Sequence, residues 1–417
     1  MARKLLDRNI ETIVRDTLKD TPITIIQGAR QVGKSTLAGV VSAGTKCMNL
    51  TLDADESLAA ANENPYEFVS QFDEGLLIID EVQKCPDLLR ALKRSVDENR
   101  KPGRFLITGS VNILNLKDTS ESLAGRAETV PLKPFSIGEI NGIKEDFVSM
   151  LMKGNILRSL KNATPLSRSS YAKYIATGGY PDAVIREGKR RSAWFKNYST
   201  RLLDHDADEL SGLSHLDRLK TIYTILAGTP SMIYVRANVS RLTGIPESSM
   251  NAYIRLLEDL CLINSIPAWG RNYSRRAIGK PKLIIDDTGM ACSLNGISQD
   301  FISKIENGNA LGPLLENFVQ SEINKQQSWS DTDYSLFHFR DRHSKEVDLV
   351  LELESGQIIG LEIKAASSIS RNDFSGLKVL QELAGDNFYC GIVLYTGTEV
   401  NPFGEKLFAA PISTIWQ

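Results

Sequence analysis

Ile23-Thr24-Ile25-Ile26-Gln27-Gly28-Ala29-Arg30-Gln31-Val32-Gly33-Lys34-Ser35-Thr36 runs from an apolar segment through a glycine-bounded turn into a lysine and two hydroxyls. Residues 28–35 fit the phosphate-loop pattern GxxxxGK[ST] with no mismatch. Each part has a physical reason. The apolar run forms a strand, the glycines allow a tight turn whose amides point inward at phosphate oxygens, and the helix opening at Thr36 favours an anion at its N-terminus. The pattern assigns nucleotide binding to Gly28, Ala29, Arg30, Gln31, Val32, Gly33, Lys34, Ser35 and Thr36. Lys34 bridges the β- and γ-phosphates and Ser35 ligates magnesium, so ATP and Mg2+ are the implied cofactors.

Working outward, Leu76-Leu77-Ile78-Ile79-Asp80-Glu81 reads as a second buried strand that delivers two acids at its C-terminal edge. Asp80 is expected on the magnesium shell, and Glu81 is expected to polarise the attacking water, which points to hydrolysis beyond binding. A third strand ends in Leu106-Ile107-Thr108-Gly109-Ser110. Thr108 and Ser110 either sense the γ-phosphate or cap the strand end. Arg126, in Ser122-Leu123-Ala124-Gly125-Arg126, is the arginine chosen to stabilise transferred phosphate charge, within the chain or across a subunit boundary, with a structural arginine as the alternative. Asp53 and Asp55 read as caps.

These strands alternate with helical segments over residues 22–140, which argues for an α/β class with a parallel sheet covered on both faces. A mixed, mostly helical stretch follows, and strands return after residue 281 at Lys282–Ile285, Val347–Leu351, Ile358–Ile363 and Gly391–Tyr395. Three units are therefore expected, at 1–145, 146–280 and 281–417. At about 150 residues per domain, 417 residues agree with that number. Apolar residues at 42% and charged residues at 24% exclude a disordered or fibrous chain. Forty-nine basic against fifty-one acidic residues, a net charge of -2, exclude a global polycation, so any basic surface is local. The five cysteines form no CxxC pair, no stretch approaches the roughly 18 apolar residues of a membrane helix, and the N-terminus is not a signal peptide. A cytoplasmic protein without a membrane partner is expected.

In order, GARQVGKST, LLIIDEVQKCPDLL, FLITGS, SLAGRAETVPLKPFSIGE, ATGGYPDAV, EVDLVLE and LEIKA resemble the prokaryotic AAA+ ATPases, P-loop ATP-binding proteins with a C-terminal domain of unknown function. The resemblance covers nearly the whole chain. It implies an AAA-type ATPase core, a middle winged-helix region and a nuclease-like end.

In the middle region, Ala237 to Met250 reads as a short helix, a turn at Gly244 and a second helix from Pro246, which is helix-turn-helix grammar. Leu262–Ile266 follows as a candidate wing strand, with a basic tip at Arg271, Arg275 and Arg276 continuing to Lys280 and Lys282. The tip either contacts DNA phosphates or is simply solvated. A second basic and aromatic cluster spans Arg186, Lys189, Arg190, Arg191, Trp194, Phe195, Lys196, Tyr198 and Arg201. Trp194 and Tyr198 share a helix face, so the aromatics read as core rather than base platforms. His205 among Asp204, Asp206 and Asp208 is a weak metal pattern.

At the C-terminal end, Asp348 is followed fourteen residues later by Glu362-Ile363-Lys364. A hairpin turning at Glu354–Gln357 places Glu362 and Lys364 on one face and brings Asp348 beside them. Two carboxylates can hold Mg2+ or Mn2+ while the lysine activates water, and phosphodiester hydrolysis needs that combination. The arrangement resembles the PD-(D/E)xK nuclease core, within a restriction-endonuclease-like α/β fold. Glu316 lies on a preceding helix, where that family commonly places another acid. Glu316, Asp348 and Glu362 are thus the expected metal ligands, with Asp348, Glu362 and Lys364 in catalysis; an inactive binding fold and unrelated surface acids are the alternatives.

The leading expectation is a Mg-dependent ATPase whose nucleotide state controls a nucleic-acid-binding or nucleic-acid-processing tail, DNA before RNA. The competing one is a regulatory switch whose winged helix and inactive tail bind a partner protein or DNA without cutting. Oligomeric state is left open, a homo-oligomer being one arrangement.

Overall fold

The computed structural model describes residues 5–110, 123–207, 217–272, 276 and 278–417, excluding the side chains of 205 and 206. The chain divides into two compact units, one running through Pro134 and including Asp259–Cys261, the other made of Phe135–Glu258 and Leu262–Gln417.

The first unit is built on strands β1 (Ile23–Gln27), β2 (Cys47–Thr51), β3 (Leu76–Asp80), β4 (Phe105–Gly109) and β5 (Ala127–Pro131). They form one sheet in the order β2-β3-β4-β1-β5, with every pairing parallel. Ile23, Ile25, Leu77, Ile79, Phe105 and Ile107 are completely buried, as expected for strands covered on both faces. Helices α1 (Glu11–Asp20), α2 (Lys34–Ser42) and α3 (Asp87–Glu98) belong to the same unit. The apolar stripe of α3, Leu88, Leu89, Leu92 and Val96, joins the core that contains Ile23, Leu77 and Phe105. Parallel strands bring all their C-terminal ends to one edge, and that edge holds residues 28–35 and Asp80.

The second unit contains α4 (Arg168–Thr177), α5 (Gly188–Arg201), α6 (Asp217–Gly228), α7 (Arg236–Thr243), α8 (Glu247–Asp259), and the antiparallel pair β6 (Ile263–Ile266) and β7 (Lys282–Ile285). After the long helix α9 (Gly308–Gln326) comes a mixed sheet. Its strands are β8 (Tyr334–Arg340), β9 (Glu346–Leu353), β10 (Ile358–Lys364), β11 (Phe388–Tyr395), β12 (Asn401–Pro402) and β13 (Leu407–Pro411), in the order β12-β13-β11-β10-β9-β8. β8, β9 and β10 form an antiparallel meander, and β10 pairs parallel with β11 after the helix α10 (Ser375–Ala384).

Most of the expected 146–280 stretch and all of 281–417 fall in the second compact unit. Buried polar contacts tie them together. The Gly179 amide donates to Asp287 at 2.6 Å, Thr288 donates to the Ile175 carbonyl at 2.9 Å, and the Ser413 amide donates to the Tyr171 hydroxyl at 3.1 Å. Such groups are costly to leave unpaired, so the two stretches cannot part without exposing them to that penalty.

Candidate functional site

The phosphate loop connects β1 to α2. Gly33 has φ of 105° and Gln31 has φ of 60°, the left-handed backbone that lets the loop turn within so few residues. Gly28 has no room for a side chain, since a Cβ there would lie 2.0 Å from the Leu132 carbonyl oxygen. Lys34 opens α2 with its ammonium buried, donating to the carbonyls of Gly28 and Ala29 at 3.1 Å each and lying 4.0 Å from Glu81. Burial pushes this ammonium below its ordinary pKa, and the Glu81 carboxylate offsets part of that shift. Gln31, Ser35 and Thr36 are exposed, while Ala29 and Val32 are buried and hold the loop to the core.

At the end of β3, Asp80 accepts from the Ser35 hydroxyl at 2.8 and 3.0 Å, and also from Thr108 on β4. Thr108 in turn accepts from the Glu81 amide at 3.2 Å. Glu81 has φ of 59°, a strained conformation for a residue with a side chain, costing on the order of 1–3 kcal/mol. That turn lets its carboxylate reach Ser110 at 3.1 Å and Gln83. Gln83 also donates to Ser110 at 2.9 Å. Sequence reasoning missed Gln83; the available signal was its position two residues beyond Glu81 in the same turn. Lys34, Ser35, Asp80, Glu81 and Ser110 therefore come together. The carboxylate and hydroxyl set at Ser35 and Asp80 suits a hard cation such as Mg2+.

Arg126 is not part of this group. Ile23 pairs with Ala127 and Gln27 with Pro131, so Arg126 sits at the opening end of β1 and β5, opposite the phosphate loop. Five residues of strand separate the two edges by roughly 15 Å. Its guanidinium forks onto Asp97 at 2.6 and 3.0 Å. The within-chain role expected for Arg126 is thus replaced by a bidentate ion pair, because Arg126 directly precedes a strand that runs parallel to β1 and so lies at the sheet's opening edge. Ser122 lies outside the described residues. Asp53 pairs with Lys84 at 2.6 Å, and Asp55 opens a helix at Asp55–Glu63.

In the second unit, α7, the turn at Gly244 with φ of 69°, α8 and the β6–β7 pair follow one another as helix, turn, helix and hairpin. Of the expected basic tip, residues 273–275 lie outside the description. Arg276 pairs with Glu352 at 2.7 Å and sits 4.9 Å from the Phe337 ring centre, and Lys282 is buried, so these two are engaged by the protein itself. Trp194 and Tyr198 stack at 4.9 Å and 11°, while Phe195 is buried, an internal aromatic cluster. His205 and Asp206, by side chain, and Asp208 lie outside the description.

The C-terminal acids do converge. Gly356, at φ of 81°, turns β9 into β10, and the Ile363 amide donates to Asp348 at 2.8 Å. Lys364 pairs with Glu362 at 2.7 Å, and Glu362 is buried with its Oε2 lacking a partner among the described residues. Sequence reasoning missed the decisive neighbour. Lys282, from β7, lies 2.7 Å from Glu316 and 3.5 Å from Asp348. Burial, then the nearby Asp348 carboxylate, pushes Glu316 up to about 8, and the same two causes push Glu362 up to about 8. Burial opposes charge on Lys282, but Glu316 and Asp348 outweigh it and raise its pKa. Among the described residues, no three His, Cys, Asp or Glu side chains form a set able to hold a metal ion. The divalent metal expected at Glu316, Asp348 and Glu362 does not fit, because an ammonium already stands between two of its three ligands.

Among the described residues, no helix is long and apolar enough to cross a membrane. The chain is 28% identical over 413 residues to an uncharacterized protein of Mycobacterium tuberculosis, covering 98% of this chain and 84% of that one, and an uncharacterized protein of Mycobacterium bovis matches equally. The Walker-type ATPase of Pyrococcus abyssi is similar at 15% identity and a TM-score of 0.43, over 70% of this chain and 96% of that chain. The RuvB Holliday junction branch migration motor of Thermotoga maritima is similar at 16% identity and a TM-score of 0.27, over 62% and 89%. Domain models of unknown function match residues 168–300 (DUF8612) and 311–415 (DUF4143), and an AAA domain model matches residues 20–141. The AAA domain model thus falls on the unit that carries the parallel five-stranded sheet and the phosphate loop.

Proposed function

We propose that this chain binds ATP with Mg2+ and hydrolyses it, and that the nucleotide state controls a nuclease-like, nucleic-acid-binding C-terminal region, DNA in preference to RNA. The observation that carries the ATPase part is the hydrogen-bonded group of Ser35, Asp80, Thr108, Glu81 and Ser110 at one sheet edge, with the Lys34 ammonium 4.0 Å from Glu81. Lys34 exchanges its bonds to two carbonyls for phosphate oxygens, whose negative charge favours the buried ammonium. Ser35 and Asp80 hold Mg2+, which when bound neutralises phosphate charge. Glu81 takes the proton of the attacking water, and Ser110 with Gln83 orients its carboxylate. In a homo-oligomer, Arg126 would serve a neighbouring copy's nucleotide instead of its own. A cytoplasmic setting belongs to the same reading.

Phosphate release from ATP tests it. Glu81→Gln is expected to lower turnover by about 10²-fold or more while ATP still binds, and Lys34→Ala to abolish both; unchanged turnover in Glu81→Gln overturns the assignment. Arg126→Ala is expected to lower turnover only at protein concentrations that support assembly.

A second reading is favoured by Lys282 between Glu316 and Asp348: the winged helix and the nuclease-like region bind a partner protein or DNA without cutting it. Cleavage of DNA or RNA in Mg2+ or Mn2+ by the unsubstituted chain, lost in Asp348→Ala and Lys364→Ala, would decide against this reading.

A further inference from the structure

Lys282 is an unusual residue for its position. It opens β7, a strand whose four residues are all buried, and its backbone pairs with Ile266 on one side and Ile233 on the other. Its ammonium is therefore delivered into the protein by strand register and not by side-chain choice at a surface. There it meets Glu316 at 2.7 Å and Asp348 at 3.5 Å. The surrounding acceptors are engaged as well. Gln320 donates to Glu316 at 3.1 Å and to the Asp348 carbonyl at 3.0 Å, and it accepts from Ser231 at 2.7 Å. The other Asp348 oxygen accepts from the Ile363 amide. A divalent ion of the magnesium class needs carboxylate oxygens near 2.0–2.1 Å in an open octahedron. The same volume holds an ammonium, and expelling that ammonium would leave a buried cation without a partner, an outcome strongly disfavoured.

We propose that Lys282 is the resident cation of the Glu316–Asp348 pair and that it excludes divalent metal from the carboxylate cluster. The inference is independent of what the N-terminal unit does. Removing the ammonium would leave Glu316 and Asp348 buried without their cation, a pair that can then take up a divalent ion in its place.

The experiment is Mn2+ binding, followed by electron paramagnetic resonance, to the nucleotide-free full chain. All arms carry Ser35→Ala, so that the phosphate loop contributes little. The background chain is expected to bind no Mn2+ that depends on Asp348, and Lys282→Ala is expected to gain one equivalent, lost again in Lys282→Ala/Glu316→Gln. Mn2+ bound by the background chain and lost on Asp348→Asn overturns the proposal, whether or not the Lys282 variants fold. A folded Lys282→Ala that gains no Mn2+ overturns it too. Thermal melting of Lys282→Ala with and without Mn2+ gives a second readout: a metal-dependent rise in Tm supports the exchange, and its absence in the folded variant opposes it.

Discussion

The two lysine-and-carboxylate sites of this chain use the same residue types in opposite ways. In the N-terminal unit Lys34 lies 4.0 Å from Glu81 and spends its hydrogen bonds on the Gly28 and Ala29 carbonyls, while the acids are held by neutral donors, Ser35, Thr108 and Ser110. In the C-terminal region Lys282 is clamped directly between Glu316 and Asp348. Their pKa shifts run in opposite directions, Lys34 downward through burial and Lys282 upward because its carboxylate partners outweigh burial. A site meant to receive an anion and a metal keeps its charges loosely engaged. A site whose charges are already matched offers little to a ligand.

The largest expected effect that sharpens this contrast is catalytic. Glu81→Gln should cost about 10²-fold or more in ATP turnover, whereas Asp348→Ala should leave turnover within a few-fold, both read by phosphate release. Next is stability. Lys282→Met leaves Asp348 and Glu316 buried without their ammonium partner and should destabilise the C-terminal unit by about 3–5 kcal/mol in denaturant unfolding; a loss below about 1 kcal/mol would break the comparison, since that is the scale of an exposed pair.

The pH dependence is a smaller effect with a definite sign. Glu316 and Glu362 have an ordinary value of 4.5 and stand near 8 in the folded chain. Between those values the unfolded chain has released protons that the folded chain retains. Their contribution to stability is therefore full below about pH 4.5 and is lost as pH rises toward 8. Melting curves across that window should show a shallower decline in Glu316→Gln than in the unsubstituted chain. The smallest effect is expected at Gln83→Ala. It removes one of the donors on Glu81 and should lower turnover less than tenfold, with Ser110 still in place.

Much of this was legible along the chain. The phosphate loop, Asp80 with Glu81, and the approach of Asp348 to the Glu362–Lys364 segment across a turn at Gly356 all arise from residues whose chemistry and spacing carry local meaning. Apolar runs such as Ile23–Ile26 and Leu76–Ile79 announce buried strands because only a covered sheet can hide them on both faces. Arg126 was different. Its neighbours in sequence state that a strand follows, but not which edge of the sheet that strand begins on, and the register with Ile23 sends it away from the phosphate loop.

Lys282 marks the same boundary most clearly. As one cation in a basic stretch it reads as a wing-tip contact, because nothing local distinguishes an exposed lysine from one aimed inward. Its partners Glu316 and Asp348 lie 34 and 66 residues further on, and helix α9 and strand β9 carry them to it. Chemistry encoded in a contiguous motif is set by covalent neighbours, so the chain alone specified the nucleotide site. Charge matching between distant segments depends on which surfaces the fold presses together, so folding alone turned an expected metal centre into a lysine-filled one.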